Sequence, residues 1–238
     1  MDFGVRDKAY AIVGGVAGMG LDTARLLAAE GAKVALIGRN RERGELRARA
    51  MAEEFGADVR MIMADGTVKG AMDLAMAEAV SHFGRLDGVC VTAGTMQTRK
   101  SLLELEDEVW EEYFQVHVMV TVRACRAALP HLIAAGGGSI VKNIALTYGS
   151  HNVRANTVCP GFIASESAQG VIRMAAEKYG LPPLEAIAKA MVEDWPMNVA
   201  MGRVGLSTEI ADLFAFLLSA RAGYLTGATI NCDGGTQF

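Results

Sequence analysis

Apolar residues along the chain alternate between two patterns. Short continuous apolar runs are typical of parallel strands buried on both faces, and they predict strands at residues 10–13, 33–37, 59–63, 88–91, 139–141, 153–158 and 228–230. The stretches between them repeat apolar residues at every third or fourth position. They predict helices over residues 19–30, 41–55, 68–83, about 107–135 and 208–219, the last with Ser207 as its N-cap. This alternation predicts an α/β fold with a single domain over residues 1–238, a doubly wound parallel sheet of about seven strands with helices on both faces.

The connection between the strands at 139–141 and 153–158 is unusually short. It holds only residues 142–152, whereas a crossover between parallel strands takes about a dozen residues even when it carries no functional group. The sequence therefore predicts little room for catalytic side chains on this connection.

Composition narrows the class of protein. Of the 238 residues 51% are hydrophobic, 27 are glycine and 5 are proline, and the formal net charge is −4. These values suit a large core with many tight turns, and without a Lys/Arg-rich run we expect no nucleic-acid partner. The N-terminus has no apolar signal core, no apolar run reaches the length of a membrane span, and the cysteines and histidines lack metal-ligand spacing. We expect a cytoplasmic protein with reduced thiols, no metal site and no membrane partner.

A glycine-rich turn follows the first predicted strand and opens the first predicted helix. It reads Gly14-Gly15-Val16-Ala17-Gly18-Met19-Gly20. Backbone N–H groups at a helix start can hold a pyrophosphate, and glycine lets the backbone approach it closely. The spacing is G-x-x-x-G-x-G, which differs from the G-x-G-x-x-G of the general dinucleotide fingerprint.

Further segments extend this pattern along the chain. They are Ala64-Asp65-Gly66 after the third strand, Val91-Thr92-Ala93-Gly94 at the fourth, residues 156–165 from Asn156 through Pro160, Gly161 and Ile163 to Ser165, Thr226-Gly227, and Asp233-Gly234-Gly235. Together with the turn they resemble the motifs of the classical short-chain dehydrogenases/reductases. Val13 replaces that family's usual threonine before the turn, and Val91 and Thr92 replace its two asparagines.

The resemblance covers nearly the whole chain and implies a Rossmann-type NAD(P)-binding fold. It implies hydride transfer between a nicotinamide and a small-molecule alcohol or ketone, assembly into a homo-oligomer (a dimer or a homotetramer), and a substrate lid over residues 164–198. The cofactor-binding residues that we predict are Gly14, Val16, Ala17, Gly18, Met19, Gly20, Arg39, Asn40, Asp65, Gly66, Ala93, Gly94, Pro160, Gly161, Ile163 and Ser165.

The end of the second strand bears on the choice of dinucleotide. Enzymes that prefer NAD usually place a carboxylate here to hydrogen-bond the adenosine ribose, but this chain has Gly38. Arg39 follows, a planar donor that suits a 2′-phosphate, and Arg41 and Arg43 enlarge the positive field. The alternative is a solvated basic stretch at a helix start. The pattern favours NADP(H) over NAD(H).

The catalytic residues that the resemblance implies are absent. Family members use a serine and a Tyr-x-x-x-Lys pair, and none of the five tyrosines here has a lysine four residues later. The flanking segments resemble family segments that join at Val141–Lys142, which indicates a missing segment between these two residues. Lys142 and Tyr148 lie close by but have no supporting residues.

His117 stands at the position of the family's helix asparagine, in the register set by Trp110 and Leu129-Pro130. A histidine there could relay protons, or it could simply pack against the backbone. Two functions therefore stay open. One is an NADP(H)-dependent oxidoreductase whose given sequence omits an active-site segment. The other is a non-catalytic dinucleotide-binding or oligomer-forming protein with a true deletion.

Overall fold

The computed structural model describes residues 2–94, 104–141 and 149–237. Its first half alternates strands and helices in the predicted order. The elements are β1 (Ala9–Val13), α1 (Gly18–Ala29), β2 (Lys33–Gly38), α2 (Arg41–Phe55), β3 (Val59–Met63), α3 (Ala71–Phe83) and β4 (Gly88–Val91). Helices α2 and α3 end at Gly56 and Gly84 in the left-handed conformation, where glycine has no steric penalty.

The second half begins with one long helical stretch and continues the sheet. The elements are α4 (Asp107–Tyr113), a π-helical segment (Phe114–Met119), α5 (Val120–Ala134), β5 (Gly138–Val141), β6 (Val153–Pro160), β7 (Ile163–Ala164), α6 (Gln169–Tyr179), α7 (Pro183–Glu193), β8 (Asn198–Val199), β9 (Gly205–Leu206), α8 (Ser207–Leu218), β10 (Thr229–Cys232) and β11 (Thr236–Gln237).

Seven strands form one parallel sheet in the order β10-β6-β5-β4-β1-β2-β3. The first strand lies near the centre, and the chain winds outward from it in both directions, as in a doubly wound sheet. Helices α3 and α5 cover one face of the sheet and α1, α2 and α8 cover the other. The fold class predicted from the sequence is confirmed.

Helices α6 and α7 pack on each other around a small apolar cluster of their own. Ile172, Ala186, Ile187 and Met191 are buried there. The strand pair β7–β9 joins this cluster to the rest of the fold. Of the apolar residues in segment 164–198, Met191, Trp195 and Met197 pack into the cluster, whereas Met174 is 61% exposed.

Helix α8 begins one residue earlier than predicted. Ser207 is its first residue and not its N-cap, which is Leu206. The Ser207 hydroxyl donates to the Asp22 carboxylate on α1, and the Glu209 carboxylate accepts from the Leu206 N–H at 2.8 Å. Glu209 therefore supplies the side-chain hydrogen bond at the start of α8, to the Leu206 N–H. Ser207 contacts α1 and does not cap α8.

The predicted junction at Val141–Lys142 lies at the edge of the described residues. Val141 closes β5 and is buried, whereas Lys142 and Tyr148 lie outside them. The described end of the connection holds a 3-10 turn, Gly149–His151, followed by Asn152 with a φ of 57°.

Candidate functional site

A cavity of about 330 Å³ opens at the carboxyl edge of the sheet, where β1, β2, β3 and β4 end. Ligands of open α/β sheets bind at this edge, beside the strand at which the winding reverses. The lining residues are Val13, Gly14, Val16, Ala17, Gly18, Met19, Gly20, Ile37, Gly38, Arg39, Ala64, Asp65, Gly66, Thr67, Thr92, Ala93, Gly94, Val116, Val120, Ser165 and Ser167. We call it the glycine-lined cavity.

Two glycines of the turn are required by close backbone contacts. Gly14 has a φ of +90°, and a Cβ there would lie 2.7 Å from the Ala93 backbone nitrogen. A Cβ on Gly20 would lie 2.4 Å from the Thr92 hydroxyl oxygen, which itself donates to the Val13 carbonyl. The turn after β1 and the end of β4 therefore fit together only when both positions are glycine.

The start of α1 faces this cavity without a side-chain cap. Its N-cap residue is Ala17, which offers no acceptor. The first N–H groups of a helix need partners, and together with the positive end of the helix dipole they attract an anion. The geometry therefore fits the pyrophosphate of a dinucleotide, held by backbone N–H groups of the glycine-rich turn.

Asp65 and Arg39 lie at the other end of the cavity. The Asp65 carboxylate accepts from the Thr67 hydroxyl at 2.7 Å and from its backbone N–H at 2.9 Å. The Thr67 hydroxyl has the largest effect, and with its N–H and the charge of Arg39 it lowers the pKa of Asp65, against the opposing effect of burial. Asp65 is thus held ionised in a fixed orientation. Arg39 is exposed and forms no ion pair with the residues described.

The opposite wall of the cavity is the turn after β7. Ser165 is buried, and its hydroxyl lies 2.9 Å from that of Ser167. Glu166 stands between them, and its carboxylate accepts from the Arg43 guanidinium on α2. An ion pair therefore joins the two walls beside the cavity.

Four predicted cofactor residues lie away from the cavity lining. The Asn40 side chain accepts from the Arg43 N–H at 2.9 Å and caps α2. Gly161 and Ile163 line a separate cavity near the chain's C-terminal strands, and Pro160 ends β6 without lining either cavity. Conversely, Thr67, Val116, Val120 and Ser167 line the cavity although no sequence signal marked them.

His117 lies in the π-helical segment, next to the cavity. A Cβ on Gly94 would be 3.2 Å from its Cε1 atom and 3.4 Å from its Nδ1 atom. Its ring also meets the Tyr113 ring edge-on at 6.0 Å. π-Helical turns often occur at functional sites, and this one brings His117 to the end of β4.

The remaining described tyrosines and Ser139 are remote from the cavity. Tyr10 is buried at the start of β1, Tyr179 ends α6, and Tyr224 is fully exposed. The Ser139 hydroxyl donates to the Leu217 carbonyl on α8 and is buried. Within the described ranges, no group of three His, Cys, Asp or Glu could hold a metal ion. Likewise, no helix there has the length and apolar character needed to cross a membrane.

One edge of the sheet carries exposed residues, and no described helix covers them, on the face that packs α3 and α5. Val153 and Ala155 are buried on this face, and Cys159 lies on the same side further along β6 but is exposed. On the neighbouring strand, Thr229 and Asn231 are also exposed. We call Cys159, Thr229 and Asn231 the uncovered strip.

Comparison with known proteins assigns the family. The profile described as "short chain dehydrogenase" matches residues 8–144, which is more than half of the chain. The chain belongs to the short-chain dehydrogenase family. A second profile, described as "Enoyl-(Acyl carrier protein) reductase", matches residues 138–237, so the two matches overlap at residues 138–144, which include β5. The family predicted from the sequence motifs is confirmed.

Individual relatives in this family match over nearly their full length. The 3-oxoacyl-[acyl-carrier-protein] reductase FabG of Chlamydia muridarum is 26% identical, covering 96% of this chain and 97% of the relative. The short-chain reductase protein NovJ of Streptomyces niveus is 29% identical, covering 97% and 95%. The structure of L-sorbose reductase from Gluconobacter frateurii, complexed with NADPH and L-sorbose, superposes with a TM-score of 0.87 at 27% identity, covering 99% and 98%.

These alignments are longer than the chain itself. They run over 258 and 260 positions for FabG and NovJ, whereas the chain has 238 residues. Each relative therefore has at least 20 positions that no residue of this short-chain dehydrogenase matches.

Proposed function

We propose that this chain is an NADP(H)-dependent oxidoreductase that transfers hydride between the nicotinamide and an alcohol or ketone. Membership of the short-chain dehydrogenase family supports the reaction class. The glycine-rich turn, the uncapped start of α1 and the fixed Asp65 carboxylate support a dinucleotide in the glycine-lined cavity. When bound, the nicotinamide would supply or accept the hydride, while the protein would orient it and move the proton.

The residues at the end of β2 are the observation that most supports NADP(H) over NAD(H). Gly38 offers no carboxylate to the ribose hydroxyls, and Arg39 lines the cavity. A guanidinium suits a phosphate because it offers several donors in one plane. Arg41 and Arg43 support the choice less, because Arg41 pairs with Glu45 at 3.7 Å and Arg43 pairs with Glu166. The relative from G. frateurii, which is complexed with NADPH, supports the same choice.

Fluorescence titration with NADPH and NADH tests this proposal. We expect the wild type to bind NADPH more tightly, and we expect Arg39→Gln to weaken NADPH binding by about tenfold without changing NADH binding, because a charge-assisted contact to the 2′-phosphate is lost. Arg41→Gln is the matched control, since it removes a neighbouring charge that Glu45 already pairs. Tighter binding of NADH, or an equal loss for both dinucleotides, would contradict the proposal.

We propose His117 as a proton relay for this reaction. It lies beside Gly94 at the cavity, and the chain has no Tyr-x-x-x-Lys pair. Positioned proton transfer contributes about 10²- to 10⁴-fold to a rate. In an assay of NADPH oxidation with a panel of ketones, His117→Ala should lower kcat by about 10²-fold while the KM for NADPH stays nearly unchanged. A packing role would instead lower thermal stability and leave kcat nearly unchanged.

A second candidate function is non-catalytic dinucleotide binding, with the active-site helix truly deleted. The missing Tyr-x-x-x-Lys pair favours it. Measurable NADPH binding without turnover of any ketone would support this candidate against the first. The intact mass of the protein isolated from its source separates the two origins of the short connection. A mass of 25.2 kDa indicates a deletion, and a larger mass indicates an omitted segment between Val141 and Lys142.

We also propose that the chain forms a homo-oligomer. Trp110, Phe114 and Val118 follow one another at four-residue spacing along the helical stretch before α5 and are 49%, 54% and 43% exposed. An exposed apolar row of this kind is typical of a protein interface. Light scattering should show a dimer or tetramer that Phe114→Glu dissociates, whereas Met174→Glu, at an exposed methionine of α6, should have no effect. A monomeric wild type would contradict this proposal.

A further inference from the structure

A second polar pocket lies at the opposite edge of the sheet from the glycine-lined cavity. Its volume is about 250 Å³, and it opens where β1, β5 and β6 begin and where α5 and α8 end. We call it the amino-edge pocket. Its lining residues are Lys8, Tyr10, Asp87, Ala135, Gly136, Gly137, Gly138, Asn152, Arg154, Leu218, Ala220 and Gly223.

Tyr10 is the most unusual residue of this pocket. It is 1% exposed, yet its hydroxyl makes no hydrogen bond within the described part of the chain. Its ring packs closely on Gly88, where an added Cβ would lie only 2.8 Å from the Tyr10 Cδ1 atom. Burial, together with the charge of Asp87, raises the pKa of Tyr10, so the hydroxyl remains a donor at physiological pH. The hydroxyl is therefore open to the pocket, where it can donate to a ligand or to a water.

Two cations share the pocket with Tyr10. The half-buried Arg154 guanidinium donates to the carbonyls of Leu217 and Ser219, at 2.9 Å each, and forms no ion pair with a described carboxylate. Burial lowers the pKa of Arg154, and the charge of Tyr10 opposes this effect. Lys8 is half-buried and also forms no ion pair within the described ranges.

The one acidic side chain that lines the pocket is already occupied. The Asp87 carboxylate accepts from Arg85 at 2.6 and 2.8 Å and from the Ala9 N–H at 2.9 Å. The two carbonyls at the end of α8 explain why Arg154 is tolerated, since cations are favourable at helix C-termini. They do not explain the unbonded Tyr10 hydroxyl or the unpaired Lys8. The pocket thus offers three donors, two at the start of β1 and one on β6, and its own acid is paired with Arg85.

We propose that the amino-edge pocket binds a small oxyanion, a carboxylate or a phosphate, between Tyr10, Arg154 and Lys8. The Tyr10 hydroxyl and the remaining N–H groups of Arg154 would donate to the anion, and the Lys8 ammonium would balance its charge. The pocket has room for one such group. It lies across the sheet from the glycine-lined cavity, so its occupancy does not depend on the proposed dehydrogenase function.

Calorimetric titrations with inorganic phosphate and with acetate, at constant ionic strength, test the proposal and separate the two kinds of anion. The decisive variant is Tyr10→Phe, which removes only the unbonded hydroxyl. We expect it to leave the thermal midpoint of the ligand-free protein unchanged or slightly raised, and to weaken binding of the better anion about tenfold, the typical effect of a hydrogen bond to a charged group. Tyr224→Phe, at a fully exposed tyrosine, is the matched control.

Lys8→Gln provides a second variant on the surface of the pocket, which keeps the test valid if Tyr10→Phe fails to fold. It should also weaken anion binding, with a loss that shrinks as salt is raised. Binding of both anions that is unchanged in Tyr10→Phe and in Lys8→Gln would overturn the proposal, because it would place the anion elsewhere, for instance at the start of α1. Absence of binding by the wild type would show a pocket filled by water only and would also overturn it.

Discussion

The two halves of the sheet differ in how they are covered. Strands β1 to β4 are joined by helices in the described ranges, and inward residues such as Ala11, Ala35 and Val89 are fully buried. In the other half, β5 and β6 are joined by a connection whose described part is a single 3-10 turn. Cys159 on β6 and Asn231 on β10 are exposed there.

This difference in covering separates the candidate cofactor-binding residues from the segment in which the family's proton-transfer residues would lie. The glycine-lined cavity is built mainly from backbone and glycines of the covered half, with Ser165 and Ser167 as its far wall. None of the residues that line the cavity comes from the described part of the β5–β6 connection. The reaction of the family needs side chains for proton transfer, and in the chain as given that connection holds too few residues to supply a helix with the usual pair. The candidate nucleotide site and the segment from which the family's catalytic pair would come therefore lie in different halves of the sheet.

We expect the largest effect from a substitution at Gly14, in the turn after β1 of the covered half. Gly14→Ala places a Cβ at a φ of +90° and 2.7 Å from the Ala93 backbone nitrogen, so either the turn or the end of β4 must move. We expect binding of NADPH to fall by at least about 100-fold and the protein to lose about 1–3 kcal/mol of stability. Fluorescence titration and urea unfolding measure the two effects.

Gly70→Ala is the matched control for this substitution. Its φ is +83°, and a Cβ there would meet nothing within 4 Å. It should lose about 1 kcal/mol of stability from backbone strain alone and keep wild-type affinity. Equal loss of NADPH affinity in both variants would show that Gly14 acts through general stability and not through the turn.

The uncovered half can be tested by the reactivity of its cysteine. Cys159 is exposed, whereas Cys90 and Cys125 are 0% exposed. In the folded protein, we expect Cys159 to react with a thiol reagent at least about 100-fold faster than Cys90 and Cys125, because buried thiols react only when the structure opens. Peptide mapping after short labelling measures the rates. Protection of Cys159 equal to that of Cys125 would mean that this face is covered in solution, and the contrast between the two halves would disappear.

The sequence predicted the sheet well because continuous apolar runs and helix-ending glycines are local signals. Each central strand begins and ends within two residues of its predicted bounds. The π-helical segment Phe114–Met119 was not predicted, since a π-helical turn differs from an α-helical one by a single residue of spacing. The apolar pattern before α5 is the same for both.

Site residues were predictable where backbone geometry creates them. The glycine-rich turn and Asp65 carry their signal in sequence. Asn40 was predicted to bind the cofactor; in the structure its side chain accepts from the Arg43 N–H and caps α2, and its contact with a cofactor stays a prediction. The amino-edge pocket could not be predicted from the sequence. It depends on Tyr10 and Arg154, which are distant in the chain and come together only in the fold.

A smaller effect should come from the ion pair that joins the two halves. Arg43 on α2 and Glu166 on the turn after β7 meet beside the glycine-lined cavity. Their side chains are 35% and 47% exposed, so the contact is worth at most about 1 kcal/mol. If this pair must open for a dinucleotide to enter and leave, Glu166→Gln should raise both the association and the dissociation rate of NADPH about two- to fivefold and leave Kd nearly unchanged. Stopped-flow fluorescence measures both rates.

A charge-swapped variant sharpens this test. Arg43→Glu combined with Glu166→Arg restores an ion pair with opposite polarity and should return both rates toward the wild type. A change in the dissociation rate alone would mean that Glu166 contacts the cofactor directly and does not act as a gate.

The smallest effect should come from the ion pair between Glu209 on α8 and Arg203, and it concerns the stability of the fold in acid. The Glu209 carboxylate accepts from Arg203 at 2.6 and 2.9 Å and from the Leu206 N–H, and these bonds, Arg203 first, lower the pKa of Glu209 to about 2. A lowered pKa stabilises the fold above the unfolded-state value, and this contribution is lost as the pH falls toward 2. Glu209→Gln should therefore lower the urea midpoint at pH 7 by about 0.3 M or less, because the exposed pair is screened. At pH 2 to 2.5 most of that difference should be gone. A difference of the same size at both pH values would show that the effect of the substitution does not come from the charge of Glu209, since glutamine can still accept from the Leu206 N–H.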